Sequence, residues 1–231
     1  MTTIYLVRHG QASFGAESYD KLSSVGEEQA KYLGQYLKEI LKEEPYVVSG
    51  SMQRHQQTAH ISLNESFPQA QIHTNSAWNE FNHQQVFERY DAKFANPEEL
   101  KKQLSKSNNP YVFLSDVFGH AVKRWVSNEY HDYDESWLDF QNRVTGALTE
   151  LCNELANTQP RYAVVYTSGG VISALVGKLL DLSVEKTFGL TWSIANTSFT
   201  TLRLVGHEPQ LLSLNEHHYL KAIDQKLLTW V

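Results

Sequence analysis

The chain reads as an α/β protein of three layers, α/β/α, with a mostly parallel central sheet and a helical insertion. Three observations predict this. Short apolar runs at residues 3–7, 46–49 and 161–167 suit strands buried on both faces. Long stretches with apolar residues at three- and four-residue spacing separate them. The order strand, helix, strand, helix favours parallel pairing, because a parallel crossover needs a helix-sized connection.

Residues 3–7 form the first expected strand, with Arg8, His9 and Gly10 just beyond its C-terminal end. Ser24 and Glu27 make a capping-box pattern, after which Ala30, Leu33, Leu37, Ile40 and Leu41 mark an amphipathic helix ending before Pro45. Residues 46–49 are the second strand and lead through Gly50 and Ser51 into a helix carrying Arg54 and Thr58. Residues 84–157 are mostly helical in pattern, broken at Pro97, at Asn108-Asn109-Pro110 and over 127–135. That is long for a simple crossover, so one domain over 1–231 is expected to carry a mainly helical cap at about 82–135. The third strand, 161–167, runs into Ser168-Gly169-Gly170 and a helix through Val171, Leu175, Leu179 and Leu180. Residues 198–205 and 210–214 read as two further strands.

Composition narrows the function classes. The 231 residues are 41% hydrophobic, and 20 basic against 26 acidic side chains leave a formal charge of −6. Without a clustered cationic excess, nucleic acid is not an expected partner. No apolar stretch approaches the ~20 residues of a membrane span, so no membrane partner is expected and the cytoplasm is the expected location. Cys152 is the only cysteine, which excludes an intrachain disulfide and a thiolate zinc site within one chain. His131, Asp132, Asp134 and Glu135 read as a solvated acidic loop, and no metal or other cofactor is expected. Monomer and homodimer both fit the sequence.

Arg8-His9-Gly10 is the most informative feature. A guanidinium grips phosphoryl oxygens bidentately, and a neutral imidazole nitrogen can attack phosphorus. The competing reading is a surface pair that merely ends a strand. Ser168-Gly169-Gly170, between a strand and a helix start, makes a corner where backbone N–H groups and the helix dipole favour an anion. Trp78, Phe81, Phe87 and Tyr90 fit either an apolar wall for a leaving group or core. Tyr111, Phe113, Leu114, Phe118, Val122 and Trp125 fit cap packing.

Leu6-Val7-Arg8-His9-Gly10-Gln11 resembles the signature of the histidine phosphatase superfamily, the phosphoglycerate-mutase-like group. Asp20, Leu22, Gly26, Gln29 and Ala30, then Ser49 to Arg54 with Gln57-Thr58-Ala59, Glu80, Glu135-Ser136 with Phe140 and Arg143, and Asn196-Thr197-Ser198 match further family positions. The resemblance implies that His9 becomes a phosphohistidine, that Arg8 and Arg54 bind the phosphoryl oxygens, and that Glu80 is the proton donor, without a metal. It implies a phosphomonoesterase acting on a small phosphorylated metabolite or a phosphoprotein. Desolvation by Trp78 and Phe81 is expected to tune Glu80.

Three positions depart from the family pattern. A second histidine is expected before the Gly-Gly pair, but Ser168 stands there, so Ser168 and the Gly169 N–H are left as the expected phosphate donors. His83, three residues beyond Glu80 and on its side if that segment is helical, is the candidate for the missing cation, with His120 a weaker one. Gln11 replaces an acidic residue near the substrate, and Gly15 replaces an asparagine whose phosphate contact Ser13 is a candidate to supply. The rival functions are a phosphate-binding sensor with weak or no turnover and a mutase.

Overall fold

Ile4, Leu6 and Val7 are fully buried, which leaves the first strand no solvent face and forces it to the middle of a sheet. The computed structural model describes residues 1–13, 20–96, 99, 102, 103, 105, 109–127 and 129–230, with side chains for all of these but 110–112, 114 and 115. The strands are β1 (Thr3–Arg8), β2 (Tyr46–Ser49), β3 (Ile72–Thr74), β4 (Tyr162–Thr167), β5 (Phe199–Val205) and β6 (Glu208–Glu216). They make one sheet in the order β3-β2-β4-β1-β5-β6. β1 to β4 run parallel, while β5 lies antiparallel to β1 and carries β6 as a hairpin partner. The expected three-layer, mostly parallel architecture is therefore the one observed.

The register sets where chemistry can happen. Arg8 pairs with Thr167 and Ser49 with Tyr166, so three neighbouring strands end almost level. His9, Ser168 and Gly50 follow those ends directly. In an open parallel sheet this carboxyl edge is where ligands bind.

The helices are α1 (Ser24–Ile40), α2 (Gln53–Ser66), α3 (His83–Tyr90), α4 (Pro110–Val126), α5 (Trp137–Thr158), α6 (Gly169–Leu179), α7 (Val184–Thr191) and α8 (His218–Ile223). α1 starts one residue earlier in its capping than the Ser24–Glu27 pattern implies. Ser23 is the N-cap, its side chain accepting from the Gly26 N–H. The Ser23 hydroxyl is the one that reaches the helix's third free N–H, which makes Ser24 the first helical residue. Leu33 and Leu37 of α1 and Ala59 and Leu63 of α2 close over Val7, Val47, Val164, Tyr166 and Phe199 on one face of the sheet. Every residue of α6 from Gly169 to Gly177 is buried, which makes it a core helix rather than an amphipathic one.

The described residues form two compact units, Met1–Glu80 with Val144–Val231 and Phe81–Arg143. The second unit, against an expected insertion at about 82–135, has an aromatic core of its own. Phe81 stacks on Trp125 at 4.7 Å, and Trp125 meets Trp137 edge-on at 5.4 Å. Phe118, Val122 and Trp125 are buried as cap packing, whereas the Tyr111 and Leu114 side chains lie outside the described ones. Phe87 packs against Phe118, and Tyr90 is exposed beside His120. In the acidic loop Asp132 pairs with Arg124 and Glu135 with Arg143.

The loop after β1 passes close over the start of α1. A Cβ on Gly26 would lie 2.2 Å from the Gln11 carbonyl oxygen, and one on Gly10 would lie 2.6 Å from the Gly26 carbonyl oxygen. Both contacts are backbone, so neither can yield by a rotamer change. Gly26→Ala is expected to force the two segments apart at a cost of about 1–3 kcal/mol, the scale of overpacking in a dense interior. Thermal unfolding checks this, and an unchanged midpoint would show that the loop has room.

Candidate active site

Burial and two fixed charges define the chemistry at His9. Its side chain is only 7% exposed, and its backbone N–H donates to Thr167 O at 2.9 Å, an extension of the β1–β4 ladder. The Nδ1–H faces the Gly10 carbonyl at 2.7 Å. That contact puts the ring proton on Nδ1 and leaves the lone pair on Nε2. Arg54 Nε donates to Nε2 at 3.1 Å. Burial, first, and then the charges of Arg54 and Arg8 hold the imidazole well below its usual pKa, so it stays neutral.

The second arginine is itself anchored. Arg54 is 4% exposed, and its Nη1 donates to Asp20 Oδ1 at 2.7 Å. The other Asp20 oxygen accepts the Gln53 N–H at the start of α2, again at 2.7 Å. One carboxylate thus ties the guanidinium to the helix that carries it. Thr58, one turn on, accepts the Gly10 N–H at 3.0 Å and donates to Arg54 O at 2.7 Å.

Asn196 and Thr197 clasp the backbone of the signature. The Thr197 N–H reaches Arg8 O at 3.0 Å and His9 O at 3.3 Å, and the Asn196 side chain donates to His9 O at 3.2 Å. Thr197 holds φ at 54°, a left-handed conformation unusual for a β-branched residue. Such strain persists where surrounding bonds over-determine it. Gln29 accepts the Gln11 N–H and donates to Leu227 O and the Thr229 hydroxyl, which bonds Asn196 in turn.

The sequence-derived candidates separate into groups. His9, Arg54, Ser168 and Glu80 gather at the carboxyl edge. Glu80 accepts the Gly170 N–H at 2.9 Å and so sits on the N-terminus of α6. Gly169 opens α6, and a Cβ there would lie 3.5 Å from Arg8 Nε. Arg8 Nη1 donates to the carbonyls of Ile194 and Trp230, so that end of the guanidinium holds backbone. The Ser13 hydroxyl donates to Leu22 O at 2.9 Å and pins a turn, while the Gln11 side-chain oxygen accepts from the Ser23 hydroxyl beneath α1. Gly15 lies outside the described residues.

The placement of His83 requires a correction. Residues 79–82 are not helical, and Asn82 caps α3 through the Gln85 N–H, so His83 is the first residue of a helix that Glu80 does not share. The same-side argument therefore fails. His83 and His120 belong to the second unit.

Sequence reasoning missed His55. It is fully buried, its Nε2 lies 2.6 Å from Ser168 Oγ, and its ring centre is 5.6 Å from that of His9. Burial and the Arg54 charge hold it neutral as well. The signal was available: Arg54-His55 repeats the dipeptide Arg8-His9.

A buried neutral imidazole with a defined lone pair, two arginines and a carboxyl group at a helix start thus lie together at one sheet edge. Residues 4–113 and 114–217 match the histidine phosphatase superfamily (branch 1), and the chain belongs to that family. Among solved structures it is similar to a phosphoglycerate mutase from Bacillus anthracis at 19% identity, with TM-score 0.65 and 95% of each chain covered. It is also similar to a mycobacterial glucosyl-3-phosphoglycerate phosphatase at 18% identity, TM-score 0.63, covering 94% of this chain and 99% of that one. A phosphoserine phosphatase from Entamoeba histolytica gives 18% identity and TM-score 0.63, covering 95% of this chain and all of that one. No curated protein sequence matches. None of the described helices is long and apolar enough to cross a membrane.

The two neutral histidines make stability depend on pH. An unfolded histidine takes up its proton near pH 6.5, whereas His9 and His55 titrate lower in the folded state. Below about pH 6.5 the unfolded chain binds more protons, so stability is full above that value and falls as the pH drops toward the folded pKa values. The melting temperature is expected to fall between pH 6.5 and 5, with a shallower slope in His9→Ala. An equal slope in that variant would show that His9 is not buried neutral.

Proposed function

We propose that the protein is a metal-independent phosphomonoesterase that works through a phosphohistidine at His9, on a small phosphorylated metabolite or a phosphoprotein. The observation that carries this is the His9 ring: Nδ1 bound to Gly10 O, and Nε2 presented beside Arg54 Nε. Phosphoryl transfer is mostly positioning and charge neutralisation, and two guanidiniums provide that charge. Arg54 supports this through its Nε beside His9 Nε2, and Arg8 adds a second positive charge at the same corner.

In the first step Nε2 attacks phosphorus, a P–N bond forms and the P–O ester bond breaks. Glu80 gives its proton to the leaving oxygen. Glu80 then takes a proton from water, whose oxygen attacks phosphorus, breaks the P–N bond and releases inorganic phosphate. Ser168, in the position where the family carries its second histidine, donates to a phosphoryl oxygen, with the Gly169 N–H beside it.

Incubation with an aryl phosphate, followed by a search for acid-labile, base-stable phosphate on the His9 peptide, tests the reading. Turnover with that adduct is the expected result. His9→Ala is expected to lose about 10³-fold or more in kcat, and Glu80→Gln about 10²- to 10⁴-fold, the range for positioned acids and bases. The acid limb of kcat/KM is expected below pH 6.5, since His9 must shed no proton above its lowered pKa. Tight vanadate binding without turnover would instead make the protein a phosphate sensor. Transfer between two positions of one sugar or glycerate phosphate would make it a mutase.

A further inference from the structure

We infer that His55 is the second imidazole of this site and acts on the phosphoryl group through Ser168, donating from Nε2 to the hydroxyl that in turn donates to a phosphoryl oxygen. This deepens the phosphatase reading and rests on it for the identity of the anion.

The tautomer follows from packing. His55 Nε2 lies 2.6 Å from Ser168 Oγ, whereas His55 Nδ1 is buried without a hydrogen-bond partner among the described residues. Nδ1 sits against Gly50, where an added Cβ would come within 2.2 Å of it. A proton on Nδ1 would be a buried orphan donor, the rarer and costlier kind of unsatisfied group. The proton therefore belongs on Nε2, and Ser168 Oγ is the acceptor.

That assignment leaves the hydroxyl one proton to give. Ser168 is the N-cap residue of α6, yet its side chain makes no cap bond, and His55 is the only partner of its Oγ among the described residues. Ser168 follows Thr167, which pairs with Arg8, so the residue stands level with His9 at the sheet edge. On this inference the acceptor of that proton is an oxyanion held at His9, whose ring centre lies 5.6 Å from that of His55. A hydroxyl that already accepts a hydrogen bond is polarised into a better donor. The relay thus puts an imidazole-backed donor at the place where Ser168 alone offers a plain one.

The same position explains why the relay is neutral. Arg54 and His9 face the His55 ring, and both burial and the Arg54 charge disfavour a second cation. The ring is a positioning group: it touches Ser168, and Ser168 touches the substrate. His55 also fixes the hydroxyl's direction, which a free serine rotor would not keep.

The test is a double-mutant cycle read on two probes, para-nitrophenyl phosphate for turnover and orthovanadate for affinity. His55→Ala and Ser168→Ala are each expected to lower kcat about 10²-fold, the cost of one lost transition-state donor, and the double variant no further than either single one. His55→Gln, whose amide N–H reaches about as far as Nε2, is expected to keep most of the rate and guards against a folding defect in His55→Ala. The reciprocal exchange, His55→Ala with Ser168→His, is expected to recover most of the lost rate, which a purely structural role for His55 would not allow. Losses that multiply in the double variant, or turnover and vanadate affinity unchanged in His55→Ala, would overturn the inference. If the wild-type protein forms no phosphohistidine and turns nothing over, the phosphatase reading falls while the vanadate cycle still decides this one: coupled losses support it and independent losses overturn it. Failure to bind vanadate at all overturns both.

Discussion

The Nδ1–H of His9 has a fixed acceptor in the Gly10 carbonyl, and that one bond decides which nitrogen carries the lone pair. Arg54 then has a defined atom to face, and burial keeps the ring from taking a second proton. Much of the surrounding structure holds the bond in place. Gly10 must lie against Gly26, its N–H must reach Thr58, and the His9 carbonyl must be held by Asn196 and Thr197. The fold spends conformational strain at Thr197 to do so.

Charge is arranged with the same economy. Asp20 neutralises one side of Arg54 while the other side points at His9. The second helix of the pair over the sheet and the helix after β4 both begin with a carboxyl group on a backbone N–H, Asp20 on Gln53 and Glu80 on Gly170. Helix N-termini favour negative charge, so these positions suit carboxylates and phosphoryl groups alike.

Long periodic segments were legible in the sequence because burial imposes them. The runs around Ile4, Val47 and Val164 have no polar face, and the spacing of Leu33 and Leu37 fits only a helix. β3 and α8 were not legible: each buries at most one side chain fully, and Leu220 alone carries no period. The Arg8-His9 corner could be read because strand end and chemistry are contiguous. His55 could not be assigned in the same way, because its meaning depends on Ser168, 113 positions away along the chain. The helical link between Glu80 and His83 failed because the Asn82 cap is a local signal that outweighs simple spacing.

The pairing of β1 with β4 has a consequence for how the molecule is made. Thr3 lies opposite Tyr162, so the central strand waits for a partner that follows the whole second unit in the chain. Non-local parallel pairing carries its loop-closure entropy before any contact rewards it, and such topologies fold slowly. A ribosome-bound fragment reaching only the second unit would hold Arg8 and His9 on an apolar strand whose edge is open, a species prone to association. Assembly of the His9 corner is thus among the late events of biogenesis, coupled to closure of the sheet itself.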